Sequence, residues 1–169
     1  MDPDSILNPI EKFRFYRRNL PHFEQPGSAY FITFKTVNGR ILTDETKDIV
    51  FASIKFHACK KYRLYACVVM ETHVHLILQP LEESIGQYYS IAQIMHSIKS
   101  YSAHLVKKRL KLTDNVWLDE NYDRIIRDDE EYLEKLNYIV NNPLKSKLVE
   151  KPEDYQWLFV NAREEQLLS

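Results

Sequence analysis

Residues 62–78 read YRLYACVVMETHVHLIL, two runs rich in β-branched and aromatic side chains divided by Glu71-Thr72. The runs Tyr62–Met70 and His73–Leu78 predict two strands, and a link this short predicts that they form a hairpin. Alternate side chains of a strand share a face, so His73 and His75 point one way. Val74, Leu76 and Leu78 point the other way, against a core. Ile77 shares the histidine face, which limits the polar stripe to two residues.

Upstream of the hairpin, Gln25-Pro26-Gly27-Ser28 reads as a turn that closes an irregular lead-in over 1–28. Residues 29–37, AYFITFKTV, predict a strand ended by Asn38-Gly39. Thr43 is placed to cap a helix running to about Lys60, with Ile49, Val50, Ile54 and Ala58 near helical spacing. Downstream, a helix is expected over 87–110, with Ile91, Ile94, Met95, Ile98 and Leu105 as its apolar stripe. Val116-Trp117 follows, then a short strand or loop at 122–127. Asp128 or Asp129 can cap a helix over 130–141, which should end before Pro143 because the residue preceding proline disfavours the helical region. Residues 151–157, KPEDYQW, read as a loop carrying an aromatic anchor. The order β-α-β-β-α-(β)-α predicts an α+β two-layer domain, an antiparallel sheet covered by helices, spanning 29–160 with a tail over 161–169.

The chain has 169 residues, 44% of them hydrophobic and 28% charged, with only 3 Gly, a composition that can bury a core as one domain. No apolar run approaches the roughly 20 residues that span a bilayer. The N-terminus, MDPDSILNPIEKFRFYRR, starts acidic and has no apolar h-region, so a secretory signal is not expected. Cys59 and Cys67 match neither a disulfide framework nor a CxxC zinc knuckle. A cytoplasmic protein without a membrane partner is the simple expectation. Net charge is −1, which alone does not suggest a nucleic-acid binder. The charge is uneven, however: 11–18 (EKFRFYRR) and 99–111 (KSYSAHLVKKRLK) are basic with interleaved aromatics. Such segments could form a phosphate-binding face, or simply solvated helix surface.

Two imidazoles on one strand face can reach a single divalent cation. Read alone, His73-Val-His75 could equally be two ordinary strand histidines. The helix over 130–141 bears on that choice. At about 100° per residue, Tyr132, Leu133, Leu136, Ile139 and Val140 share a core-facing arc, and Tyr138 falls nearly opposite. Asn142 lies roughly 40° from Tyr138 by the same geometry, and a carboxamide oxygen can ligate a hard cation. A surface tyrosine is the other reading, in a chain with 11 tyrosines. Histidine-triad hydrolases need a third alternating histidine where Ile77 stands. Two-histidine phosphoesterases need a second His-x-Thr/Ser, and the sequence has none.

The segment METHVHLIL resembles the histidine–hydrophobic–histidine motif of the HUH single-strand DNA nucleases. IMHSIKSYSAHLVKKR and VWLDENYDRIIRDDEEYLEKLNYIVNNPLKSKLV are similar to the later motifs of the single-tyrosine transposases, especially the REP-associated tyrosine transposase branch. The resemblance runs from about Tyr30 to Trp157. It departs where Glu71-Thr72 replaces the usual Pro-Asn, and where 142–147 reads Asn-Pro-Leu-Lys-Ser-Lys without the usual glycine. Tyr16-Arg17-Arg18 stands nearest to the expected Tyr-Arg-Arg-rich start.

The resemblance implies a ferredoxin-like fold with Tyr138 as nucleophile and His73, His75 and Asn142 as ligands of Mg²⁺ or Mn²⁺. It implies cleavage of hairpin-associated, REP-like single-stranded DNA through a 5′-phosphotyrosine, by a monomer, with a homodimer as the alternative. Lys99 is the first expected phosphate contact, with Lys107, Lys108 and Arg109 beside it and Arg124 and Arg127 after. Solvated surface charge is the alternative for each. Trp117 could stack on an unpaired base, although an isolated tryptophan more often serves the core. Two other functions stay open: a non-catalytic hairpin-binding module on the same fold, and a metal-dependent RNA or nucleotide phosphoesterase that would not need Tyr138.

Overall fold

Near-continuous apolar runs along the central strands bury the sheet on both faces. In the computed structural model, which describes residues 28–161, β1 (Tyr30–Lys35), β2 (Tyr62–Val69) and β3 (His73–Pro80) lie side by side. β6 (Tyr122–Ile125) pairs with the outer edge of β1, and β7 (Leu158–Val160) with the outer edge of β2, giving the order β6-β1-β3-β2-β7 with every pair antiparallel. β4 (Glu82–Ser84) and β5 (Gln87–Tyr88) form a separate two-stranded arm. The expected lead-in, including Tyr16-Arg17-Arg18, and the tail fall outside the described residues, apart from Ser28 and Asn161.

Three helices cover the sheet: α1 (Asp44–His57), α2 (Ile91–Leu110) and α3 (Asp129–Lys145). On the face of Val74, Leu76 and Leu78, the Tyr62 hydroxyl donates to the Ile54 carbonyl of α1 at 2.6 Å. On the same face Phe34 meets Trp117 edge-on at 4.7 Å, and Trp117 Nε1 donates to Ser102 Oγ of α2. Trp117 is only 5% exposed. It is a core side chain here, not a surface for stacking bases. β1-α1-β2-β3-α2-β6 in the order β6-β1-β3-β2 is the ferredoxin-like arrangement, and β7 extends it. The α+β architecture expected from the sequence is therefore present.

α3 lies on the opposite face, over the histidines. Its start is fixed by Asp128, whose carboxylate accepts from the Glu131 amide at 2.8 Å. Tyr132, Leu136, Ile139 and Val140 are each 0–1% exposed, as the periodicity predicts. Tyr132 packs edge-on against Tyr65, whose side chain enters this layer at a bulge between Leu64 and Ala66 of β2.

The helix does not end before Pro143 but continues to Lys145. A helical proline forfeits one hydrogen bond and costs on the order of 3 kcal/mol. Fully burying each of the four core side chains offsets that with roughly 1.5–3 kcal/mol apiece. Beyond the proline, the Ser146 amide donates to the Asn142 carbonyl at 3.1 Å and the Leu148 amide to the Pro143 carbonyl at 3.0 Å. Tertiary burial thus overrides the local preference of Asn142.

Three other boundaries differ from expectation. α2 begins at Ile91, not 87, because Ser90 and Gln93 form a reciprocal cap and the arm of β4 and β5 occupies the preceding residues. α1 stops at His57, and Cys59 turns the chain with φ of 64°. β7 has no counterpart in the expected loop. The aromatic anchor before it is present: the Tyr155 hydroxyl donates to the Val69 carbonyl at 2.8 Å, and the Lys47 ammonium sits 3.7 Å from the Trp157 ring centre.

Candidate active site

Strand register places the first half of the site. Thr33 stands opposite His75 and Lys35 opposite His73, so Phe31, Thr33 and Lys35 of β1 share the histidine face. The two imidazole centres are 4.9 Å apart. Thr33 Oγ1 lies 2.7 Å from His75 Nδ1, and Thr72 Oγ1 lies 3.2 Å from His73 Nδ1. His75 Nε2 is buried without a hydrogen-bond partner.

α3 supplies the second half. Lys135, Tyr138, Asn142 and Lys145 recur at three- and four-residue steps, so one stripe carries all four. The Tyr138 ring meets His75 edge-on at 5.0 Å and Phe31 at 5.9 Å. The Asn142 side chain, 7% exposed, is hydrogen-bonded to His73. The Lys135 ammonium lies 5.5 Å from the Phe31 ring centre and that of Lys145 lies 5.5 Å from the Tyr138 ring centre. The sequence placed Tyr138 and Asn142 on a polar side of the helix. That side faces the histidines, with Tyr138 remaining 41% exposed.

Phe31, Thr33, Lys35, His73, His75, Tyr122, Lys135 and Tyr138 line one open pocket of about 550 Å³. Every group comes from one chain. Phe31, Thr33, Lys35, Tyr122, Lys135 and Lys145 belong to the site but are not among the residues that the sequence singles out. Lys135 and Lys145 were open to discovery, since they lie three before and seven after Tyr138 on its own helical stripe. The residues of β1 and β6 required the strand register.

Of the basic side chains expected at phosphates, Arg124 stands opposite the pocket residue Phe31, and most of the others pair with protein groups. Lys99 donates to the Asp119 carbonyl at 2.8 Å, tying α2 to the loop before β6. Arg109 pairs with Glu45 across α2 and α1. Arg124 and Arg127 both grip Glu131, at 2.7 and 3.1 Å. Burial alone would raise the Glu131 carboxyl, but the Arg127 amide and the two guanidinium groups outweigh it and hold the group below its ordinary range. These arginines join β6 to the first turn of α3. Lys107 borders a second groove with His96 and Trp117, and Lys108 is exposed.

The donor set suits a hard or borderline divalent cation: two imidazole nitrogens, one unpartnered in a buried ring, and a carboxamide oxygen. No cluster of three His, Cys, Asp or Glu side chains occurs among the described residues; the Asn142 carboxamide is the polar group bonded to His73. Burial lowers the His75 pKa to about 3, with His73 and Lys35 adding to the effect. Burial also lowers that of His73, opposed by its bond to Asn142 and reinforced by Lys35. Both rings are thus neutral near pH 7, the state a cation requires.

Those shifts carry a sign for stability. A group whose pKa falls from about 6.5 in the unfolded chain to about 3 in the fold contributes fully above pH 6.5 and loses its contribution as pH falls towards 3. From the His75 value alone, metal-free protein should lose on the order of 1 kcal/mol between pH 7.5 and 5.5. Urea unfolding at the two pH values measures it. A His75→Leu variant should show a visibly smaller difference, and an equal one would reject the assignment to His75.

Residues 30–142 match the family model described as "Transposase IS200 like". A Haemophilus influenzae protein, provisionally named a REP-associated tyrosine transposase, is 27% identical over 156 residues, covering 84% of this chain and 82% of its own. A REP-associated tyrosine transposase solved bound to a REP hairpin superposes with a TM-score of 0.63 at 22% identity, covering 92% of this chain and 88% of the other. At that identity the likeness concerns the fold.

Proposed function

This chain belongs to the IS200-like transposase family, and from that premise we propose that it is a metal-dependent single-stranded DNA endonuclease and strand transferase using Tyr138 as nucleophile. The observation that carries the reading is convergence. Tyr138 and Asn142 from α3 meet His73 and His75 from β3 within one chain, although each lies more than sixty positions along the sequence from the histidines. A module that only binds hairpins would need neither a nucleophile nor a ligand set.

In the first step the Tyr138 phenolate oxygen bonds to the scissile phosphorus, and the bond from phosphorus to the 3′ oxygen breaks. A 5′-phosphotyrosine forms and the departing oxygen takes up a proton as a free 3′-OH. A later 3′-OH can attack the phosphotyrosine, releasing Tyr138 and rejoining or transferring the strand without an external energy source. A Mg²⁺ or Mn²⁺ held by His73, His75 and Asn142 would neutralise charge developing on the phosphate oxygens. Lys35 and Lys135 line the pocket and would attract the DNA backbone, while Lys145 stands over the nucleophile's ring. Phe31, against both His75 and Tyr138, limits the motion of each ring. By analogy with the hairpin-bound relative, the substrate is single-stranded DNA beside a hairpin.

The reading is tested by incubating the protein with end-labelled, hairpin-bearing single strands and Mn²⁺ or Mg²⁺, then denaturing. A covalent adduct that vanishes with EDTA and maps to Tyr138 by peptide mass spectrometry is expected. Cleavage without an adduct would point instead to a phosphoesterase, and tight binding without cleavage to the non-catalytic module.

The lysines supply a separate expectation. A Lys135→Ala/Lys145→Ala double variant should bind single strands more weakly and with a flatter salt dependence. Each lost phosphate contact reduces the slope of log K against log salt by about 0.7, so a change near 1.4 is expected. An unchanged slope would place the phosphates elsewhere, Lys35 of the same pocket and the exposed Lys108 being the next candidates.

A further inference from the structure

The two nitrogens of the His75 ring have different surroundings. Nδ1 faces the hydroxyl of its cross-strand partner Thr33 at 2.7 Å. Nε2 is buried and unpartnered, in a residue only 4% exposed. A neutral imidazole carries its proton on one nitrogen and a lone pair on the other. Were the proton on Nε2, a buried donor would remain unsatisfied, and no cation could relieve it. With the proton on Nδ1, the ring donates to the Thr33 oxygen, and the bare Nε2 lone pair is what a cation can fill.

Resting on the reading of His73, His75 and Asn142 as a cation site, we propose that Thr33 is a positioning residue that sets the tautomer of His75. Its oxygen accepts the Nδ1 proton, leaving Nε2 bare beside His73 and Tyr138. Thr33 is half-buried, so its own hydroxyl proton can be given to solvent. The ring plane has other supports: Phe31 stacks on it at 5.6 Å with an interplanar angle of 17°, and Tyr138 meets it edge-on. Removing the Thr33 oxygen therefore leaves the ring in place but removes the reason for its proton to sit on Nδ1. Thr72 makes a longer contact to His73, at 3.2 Å, which makes Thr33 the stronger lever.

The test uses the full chain and Mn²⁺ alone. Electron paramagnetic resonance titration of wild type, Thr33→Val, Thr33→Ser and His75→Leu gives Mn²⁺ affinities independent of any DNA cleavage. Thr33→Val should bind roughly 10–100-fold more weakly, with metal-free melting lowered by the lost Nδ1 hydrogen bond, and Thr33→Ser should recover most of both. Wild-type affinity in Thr33→Val, alongside loss in His75→Leu, overturns the tautomer role while leaving the cation site standing. Absence of Mn²⁺ binding in wild type, or undiminished binding in His75→Leu, overturns the site and the inference together. Should Thr33→Val fail to fold, the ¹⁵N spectrum of the wild-type His75 ring without metal decides: a protonated Nδ1 supports the role, and a protonated Nε2 refutes it.

Discussion

Tyr138→Phe is expected to bind hairpin-bearing single-stranded DNA within about tenfold of the unaltered protein and to form no covalent adduct with it, since loss of one hydroxyl removes at most roughly 0.5–1.5 kcal/mol of neutral hydrogen bonding. Cleavage should fall by at least about 10⁴-fold, because on the proposed reading the remaining side chains would hold and polarise a phosphate but offer no oxygen to attack it. Stability should hardly move. The ring is 41% exposed and its contacts are edge-on, to His75 at 5.0 Å and Phe31 at 5.9 Å, and phenylalanine can keep both. That separation makes the variant informative: a structural tyrosine would lose stability with activity, and a DNA-stacking tyrosine would lose affinity. Cleavage surviving at even a tenth of the original rate would remove Tyr138 from the mechanism and favour an attacking water.

Much of this site is readable before any coordinates, and what is readable follows physical periodicity. The two-residue repeat puts His73 and His75 on one face. The helical repeat sets Tyr138 apart from Tyr132, Leu136, Ile139 and Val140, whose burial the structure bears out. What could not be read depends on partners distant in sequence. Thr33 is unremarkable until the register of β1 against β3 sets it beside His75. Tyr122 enters the pocket only because β6 pairs with β1. Asn142 was expected on the polar side with Tyr138, yet it is 7% exposed, because that side is covered by the sheet end carrying His73. The helix ran past Pro143 for a related reason: a proline rule describes local cost, and burial elsewhere on α3 exceeded it. Lys99, Arg109, Arg124 and Arg127 stood out in sequence, and each is held by a protein oxygen. Lys35, Lys135 and Lys145 stand singly around the pocket, and no charge run announces them.

His75→Leu is expected to abolish Mn²⁺-dependent cleavage while leaving the metal-free protein as stable as before, or more so. In the fold the His75 ring is 4% exposed and its Nε2 has no partner. An unsatisfied buried polar group costs roughly 1–3 kcal/mol, and an apolar side chain of similar size does not carry that cost. The substitution releases Thr33, which is half-buried and can turn its hydroxyl to solvent. It should also lift the penalty that the lowered His75 pKa imposes below pH 6.5. On the proposed reading, these gains are set against the loss of one of three ligands of the cation. If the cation supplies about 4 kcal/mol to the transition state, its loss lowers the rate roughly a thousandfold. Melting in EDTA and cleavage in Mn²⁺ should therefore move in opposite directions, or melting should stay fixed while cleavage collapses. A histidine kept for packing would instead lose several degrees of melting temperature and keep its cleavage. The same variant tests how the chain acts. Tyr138 reaches the His75 of its own chain, so mixing Tyr138→Phe with His75→Leu should restore nothing. Were the nucleophile donated by a second copy, the mixture would contain pairs with one intact site and recover a fraction of the original rate.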